Sequence, residues 1–280
     1  MNMEWAGPGP FAVAGVLDAL TALLIGQWLL ARGQLEWRLV ALAAFVFLLL
    51  LPVNGAGMAG VEINAVAPAL PAVLHTHFGS VWLAGALVMA VLVGVALRAP
   101  PSAWISGAPL VMFVYLRACM GHVADAGMLS VGAAVHTLHL LAAGAWAGSV
   151  LIFVARYGFG RHVFDTSKAR RLSHIAAWAL LLIALSGAAN IWRIGQMAGP
   201  AVAGFWQQPW GMIMKVKLLL VAVAVFLGAT NRWSILPALD LQQPDARRRF
   251  LALLWLETLA FVGIFACAAL LGSTSPPMAM

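Results

Sequence analysis

Apolar runs of about twenty residues, separated by short polar or basic connections, recur along almost the whole chain. A hydrocarbon core about 30 Å thick demands runs of that length from a spanning helix, because each helical residue rises only about 1.5 Å. The pattern predicts about eight spans, at 11–30, 39–60, 79–97, 103–120, 130–154, 172–194, 211–230 and 250–272. The fourth is the weakest, being short and carrying Pro109 and Arg117 in "SAWISGAPLVMFVYLRACMGH". No connection is long enough to fold as a soluble unit. The prediction is therefore an all-α membrane protein with one transmembrane domain over 1–280.

Composition agrees with the pattern. Hydrophobic residues make up 63% of the 280 residues, charged ones only 9%, and mean hydropathy is +0.95. A soluble domain carries about a quarter charged residues. The charge that is present is unevenly placed. Arg32, Arg38, Arg98, Arg156, Arg161, Lys168, Arg170, Arg171, Arg232 and Arg247 to Arg249 fall in the connections after the odd-numbered spans, twelve of the 16 basic residues. Those connections should face the cytoplasm, and the others, with both termini, should face outward. The net charge of +7 is then a topology signal, and no nucleic-acid partner is expected. No cleavable signal peptide is expected either, because "MNMEWAGPGP" lacks a basic start. Cys119 and Cys267 cannot make a disulfide framework and read as small buried hydrophobes.

A faint duplication runs through the chain. "HFGSVWLAGALVMAVLVGVAL" in the third span resembles "PWGMIMKVKLLLVAVAVFLGA" in the seventh, and the second and sixth spans align at nearly the same offset. Two parallel halves of four helices would follow, an organisation found in transporters.

Against this apolar background the histidines stand out. His136 and His139 lie three apart in "AAVHTLHLLAAGAWAGS", so they share one helix face. Both fall within about two turns of the outer surface. His77 starts the third span and His122 follows the fourth, at the same level. Ionisable groups inside spans face the bundle interior and mark functional paths. Imidazole is the commonest biological metal ligand, and thioether or thiolate selects Cu(I). Met58, Cys119, Met120 and Met128 lie at the predicted depth of the histidines, so a mixed nitrogen and sulfur site for a copper ion, Cu(I) or Cu(II), is expected there. His162 and His174 fall at the cytoplasmic side, and His75 points away from His77. Asp18 and Lys217, both in the outer half, suggest an ion pair, and Glu257 suggests a packing hydrogen bond or a transit ligand. Trp82, Trp104, Trp206, Trp210 and Trp233 suit interfacial anchoring.

Taken in order, "THFGSVW", "MGHVADAG", "HTLHLLAAGAWAGS", "RRLSHIAAWALLLIALSGAAN", "QPWGMIMKVKLLL", "NRWSILPAL" and "LLGSTSPP" resemble the CopD family of bacterial inner-membrane copper resistance proteins, most clearly over 75–277. The resemblance implies an eight-helix protein of the bacterial inner membrane, both termini periplasmic, that moves copper from periplasm to cytoplasm. It also implies a separate periplasmic copper-binding partner of the CopC type. By motif position His77, His122 and His139 match the family's recurrent histidines, whereas His136 rests on helix geometry alone.

Two other functions fit the same residues. A b-type haem oxidoreductase would hold haem b by axial imidazoles, although its usual two-depth arrangement of histidines is missing here. A non-transporting copper sensor or delivery factor would use the same ligands. No ATPase phosphorylation motif or P-loop is present, so movement of the ion would be passive or gradient-driven, and no enzymatic reaction is expected.

Overall fold

The computed structural model describes residues 8–98, 102–120, 127–159, 164, 166–198 and 206–273. Long helices dominate: α1 (Pro8–Leu30), α2 (Trp37–Ala59), α4 (His77–Leu97), α5 (Ala103–Cys119), α6 (Val131–Tyr157), α7 (Thr166–Ala198), α8 (Pro209–Thr230) and α10 (Ala246–Ser273). Two short helices, α3 (Leu70–Leu74) and α9 (Leu236–Asp240), lie in connections, and no strand occurs among the described residues. The long helices sit at the eight predicted places. Seven are long and apolar enough to cross a membrane. The exception is α5, whose 17 residues reach roughly 25 Å, short of a full hydrocarbon core. Conversely, α7 has 33 residues, about 50 Å, and projects beyond its apolar segment.

The bundle is built outward from α1 and α6, which cross in direct backbone contact. A Cβ added to Gly148 would overlap the carbonyl of Ala22, and one added to Gly26 would overlap the backbone of Gly148 and Ser149. Ala22 and Gly26 on one helix and Gly144 and Gly148 on the other are spaced by four. This is the small-residue spacing that lets membrane helices pack closely where no hydrophobic effect drives them together. From this axis α2, α4 and α5 extend on one side and α7, α8 and α10 on the other. Each side has its own core. Phe47 stacks on Trp82 and meets Phe113 edge-on in the first, while Trp146, Phe153, Phe250 and Phe261 fill the second.

Polar side chains inside the bundle tie helices together. Glu257 of α10 is 1% exposed, and its Oε1 accepts a 2.8 Å hydrogen bond from Trp146 Nε1 on α6. Trp146 also meets Phe261 edge-on at 4.9 Å. At the end of the bundle that carries the basic connections, arginines bond backbone carbonyls of neighbouring helices. Arg171 Nη2 donates to Leu29 O at the end of α1 (2.6 Å). Arg232 Nη1 donates to both the carbonyl and the hydroxyl of Ser173, joining α7 to a π-helical turn (Asn231–Ile235) that continues α8. Arg170 pairs with Asp240 at 2.7 Å. The positive-inside residues thus also hold the bundle's inner rim.

Of the tryptophans placed at interfaces by sequence, Trp104 (80% exposed) and Trp233 (74%) stand out from the inner ends of their helices. Trp82 and Trp210 correct that reading. Trp82 turns inward to stack on Phe47 and donate to its carbonyl, and Trp210 is buried against Leu271. Both cysteines are buried and free, as expected.

Because the two lobes meet through a backbone contact, Gly148→Val should destabilise the fold by about 3 kcal/mol or prevent its insertion. Thermal unfolding in detergent checks this, with Gly94→Val, where a Cβ meets nothing within 4 Å, as the tolerated control.

Candidate metal centre

The residues singled out by sequence gather at the outer end of the bundle, in two groups. The first forms where α4 begins and α5 ends. Thr76 starts α4 by accepting a hydrogen bond from Gly79 N (3.2 Å), and Gly79 lies so close to the backbone of Val73 and Leu74 that α3 folds over the helix start. His77, the next residue, is exposed, and its Nε2 meets the Cys119 carbonyl at 3.2 Å. A carbonyl can only accept, so Nε2 carries the proton and Nδ1 keeps its lone pair. Cys119 belongs to a buried cluster with Val81, Leu116 and Ala133, against which Met120 and Met128 pack. Tyr115 donates to the Met128 carbonyl (2.8 Å) and pins the approach to α6. Three sulfur-bearing side chains therefore share one cluster, and His77 joins its edge through the Cys119 backbone carbonyl. His122 lies between Met120 and Met128 in the chain but outside the described residues. Met58 stands apart, 52% exposed near the end of α2 and outside this cluster.

The second group lies deeper. Ser130 caps α6 by accepting from Ala133 N, and the helix then places His136 and His139 on one face, both half-buried and electrostatically coupled. His139 Nδ1 is 3.1 Å from Ser186 Oγ on α7, and that hydroxyl donates its own proton to Leu182 O at 2.5 Å. Ser186 must then accept from Nδ1–H. Nδ1 then carries the proton and Nε2 the lone pair, and the Ile183 carbonyl is a further hydrogen-bond acceptor for the ring. Gly187, the following residue, leaves the ring its space.

Around these rings the charge is mostly positive. Arg117, Arg193 and Lys217 all act electrostatically on His136, and Lys217 also acts on His139. Asp18 forms its ion pair with Arg117, Nη2 to Oδ1 3.1 Å, rather than with Lys217. The reason is packing: α5 lies directly against α1, whereas α8 lies against α10, so the guanidinium reaches the carboxylate first. Lys217 acts on Asp18 only as a more distant charge. Arg193 spreads its guanidinium over Gly132, where any side chain would collide with it.

Among the described residues no three His, Cys, Asp or Glu side chains come close enough to hold a metal ion together. The three described histidines of the predicted layer divide into His77, with its sulfur neighbours, and the His136 and His139 pair. His174 is exposed on the cytoplasmic side, and His75 is exposed at the end of α3. Sequence reasoning assigned no role to Ser186. Its only signal was a small polar residue beside glycine in an apolar span, at the depth of His139.

The family described as CopD: Copper resistance protein D matches residues 167–271, that is, α7 to α10. Over 216 residues the chain is 25% identical to the inner membrane protein YebZ of Escherichia coli (strain K12), covering 73% of this chain and 71% of that protein. No solved structure matches. The matched family segment contains Ser186, Lys217 and Glu257, and the histidines of both groups precede it.

Histidine-labelled protein should show His139 with Nδ1 protonated and Nε2 bare in ¹⁵N spectra. Ser186→Ala should release that preference and let the ring sample both tautomers. An unchanged ring spectrum in the variant would show that the hydroxyl does not set the tautomer.

Proposed function

Residues 167–271 carry copper resistance protein D sequence in a multi-pass helical bundle, which makes this a copper-related membrane protein, and from that premise we propose that it captures copper at its periplasmic face and conducts it toward the cytoplasm. The protein sits in the bacterial inner membrane in this reading, as the name of its E. coli relative says of that protein. Copper is cargo, not a resident cofactor, and the chain performs no chemistry on it.

What supports the capture step is the cluster at the outer ends of α4, α5 and α6. His77 offers Nδ1, and Cys119, Met120 and Met128 offer sulfur in the cluster whose edge the ring meets at the Cys119 carbonyl. Soft sulfur donors with an imidazole suit Cu(I) above other first-row ions. His122, adjoining Met120 in sequence, joins the set in this reading. A soluble periplasmic donor of the CopC type would deliver to this exposed end. His136 and His139 form the next station, about two turns or less below the outer end of α6, with Nε2 of His139 oriented by Ser186.

One observation favours a second reading, a copper-holding delivery factor without flux. Arg193 and Lys217 face the inner histidines, and the nearby Asp18 already has Arg117 as its ion-pair partner. Like charges in a low-dielectric interior repel a passing cation by several kcal/mol. Under the transport reading these groups form a barrier that the ion crosses only with charge compensation.

His77→Ala combined with Met120→Leu should lower Cu(I) bound to the purified protein at least tenfold and reduce cellular copper uptake with it. Full copper content in that variant would remove the proposed capture site, and a Soret band without copper in wild-type protein would replace copper by haem. Lys217→Met should speed copper entry into proteoliposomes severalfold if the ammonium is the barrier. Stoichiometric binding with no entry, in wild type and Lys217→Met alike, would establish the delivery reading instead.

A further inference from the structure

A continuous trough runs along the membrane-facing junction of α1, α6 and α10, well away from the histidines. It has a volume of about 610 Å³ and an almost wholly apolar lining. Small residues make its floor: Ala12, Gly15 and Ala19 on α1, Ala155 on α6, and Ala266 and Ala269 on α10. On α10 it extends from Trp255 to Ala269, about 21 Å along the helix, which exceeds the roughly 15 Å depth of one leaflet's hydrocarbon. Its upper part is therefore long enough to seat a whole acyl chain.

Beside the end of the trough nearest the basic start of α10 lies a second cavity of about 390 Å³, and Trp255 lines both. That cavity is bordered by Arg247, Arg248 and Gly158, next to Phe159 at the trough's own inner end. Both arginines are exposed, and Arg247 is held over the Phe164 ring at 5.3 Å. Trp255 meets Phe159 edge-on at 5.4 Å, and a Cβ on Gly158 would press on the Trp255 indole nitrogen at 3.2 Å. The absence of a side chain at Gly158 leaves the Trp255 indole its place between the two cavities. An apolar channel of leaflet depth that ends at two guanidinium groups has the shape and charge of one kind of molecule.

We infer that this surface is a binding site for an anionic glycerophospholipid of the cytoplasmic leaflet, an acyl chain lying in the α1–α6–α10 trough and the phosphate between Arg247 and Arg248. Guanidinium binds phosphate by paired, charge-assisted hydrogen bonds, and basic pockets on the cytoplasmic side of membrane helices take anionic headgroups. The trough borders α1 and α6 together, so an occupying chain would also cover the seam on which the two lobes meet. The site is independent of copper, and its test does not depend on metal binding.

Full-length protein in detergent, supplied with equimolar phosphatidylglycerol and phosphatidylcholine, should retain phosphatidylglycerol in native mass spectra at least tenfold over phosphatidylcholine. Arg247→Gln with Arg248→Gln should abolish that preference, and Arg98→Gln, a charge loss at the end of α4 away from the trough, should leave it intact. Ala155→Phe with Ala266→Phe should lower retention of phosphatidylglycerol by filling the trough. If a variant is not monodisperse, competition on wild-type protein decides: an anionic detergent headgroup on a short chain should compete at least tenfold less well than full-length phosphatidylglycerol. Equal retention of the two lipids by wild type, equal loss in Arg98→Gln, or equal competition by the short-chain compound would each overturn the inference.

Discussion

At Gly26 and Gly148 the backbones of α1 and α6 meet with no side chain between them, and the positions of all other helices follow from that crossing. In a membrane, apolar side chains gain little by leaving lipid for protein, so close van der Waals approach has to supply the cohesion. Residues without bulk are the only ones that permit it. Once α1 and α6 are joined, α5 and α10 fall on either side of the seam, α5 bringing Arg117 to Asp18 and α10 bringing Glu257 to Trp146. The ion pair, the buried hydrogen bond and the depth of the histidines are consequences of one tight contact.

The same contact explains why chemistry collects at the outer end. Helices α4, α5 and α6 all begin or finish there, and their caps and terminal carbonyls present polar atoms that lipid could not solvate. The Cys119 carbonyl accepts a hydrogen bond from His77, and the Met128 carbonyl accepts one from Tyr115. Sulfur side chains fill the gaps between these fixed points. At the opposite end arginines bond backbone carbonyls across helices, Arg171 to Leu29 and Arg232 to Ser173.

Much of this was legible in the sequence, for a physical reason. Burial in hydrocarbon imposes a run length, so the spans and their order could be read directly, as could the basic inner loops. Depth along a helix is also a linear property, which is why His77, His136 and His139 could be assigned to the first turns of α4 and α6. Rotation about the helix axis is not linear in the same way. Which neighbour Asp18 would find depended on α5, not α8, lying against α1, and composition carries no trace of that choice. The exposure of Met58, the inward turn of Trp82 and the hydroxyl that Ser186 offers to His139 were hidden for the same reason. The family resemblance traced over 75–277 meets a family match over 167–271, the segment that supports the histidines more than it contains them.

Copper handling by this bundle rests on the claim that the ion is held by mixed nitrogen and sulfur donors at the outer end. X-ray absorption at the copper K edge of the loaded, purified protein reads the coordination shell directly. The account predicts a Cu(I) edge with two or more sulfur neighbours at about 2.3 Å and at least one imidazole, and its central claim would be contradicted by a shell of nitrogen and oxygen alone.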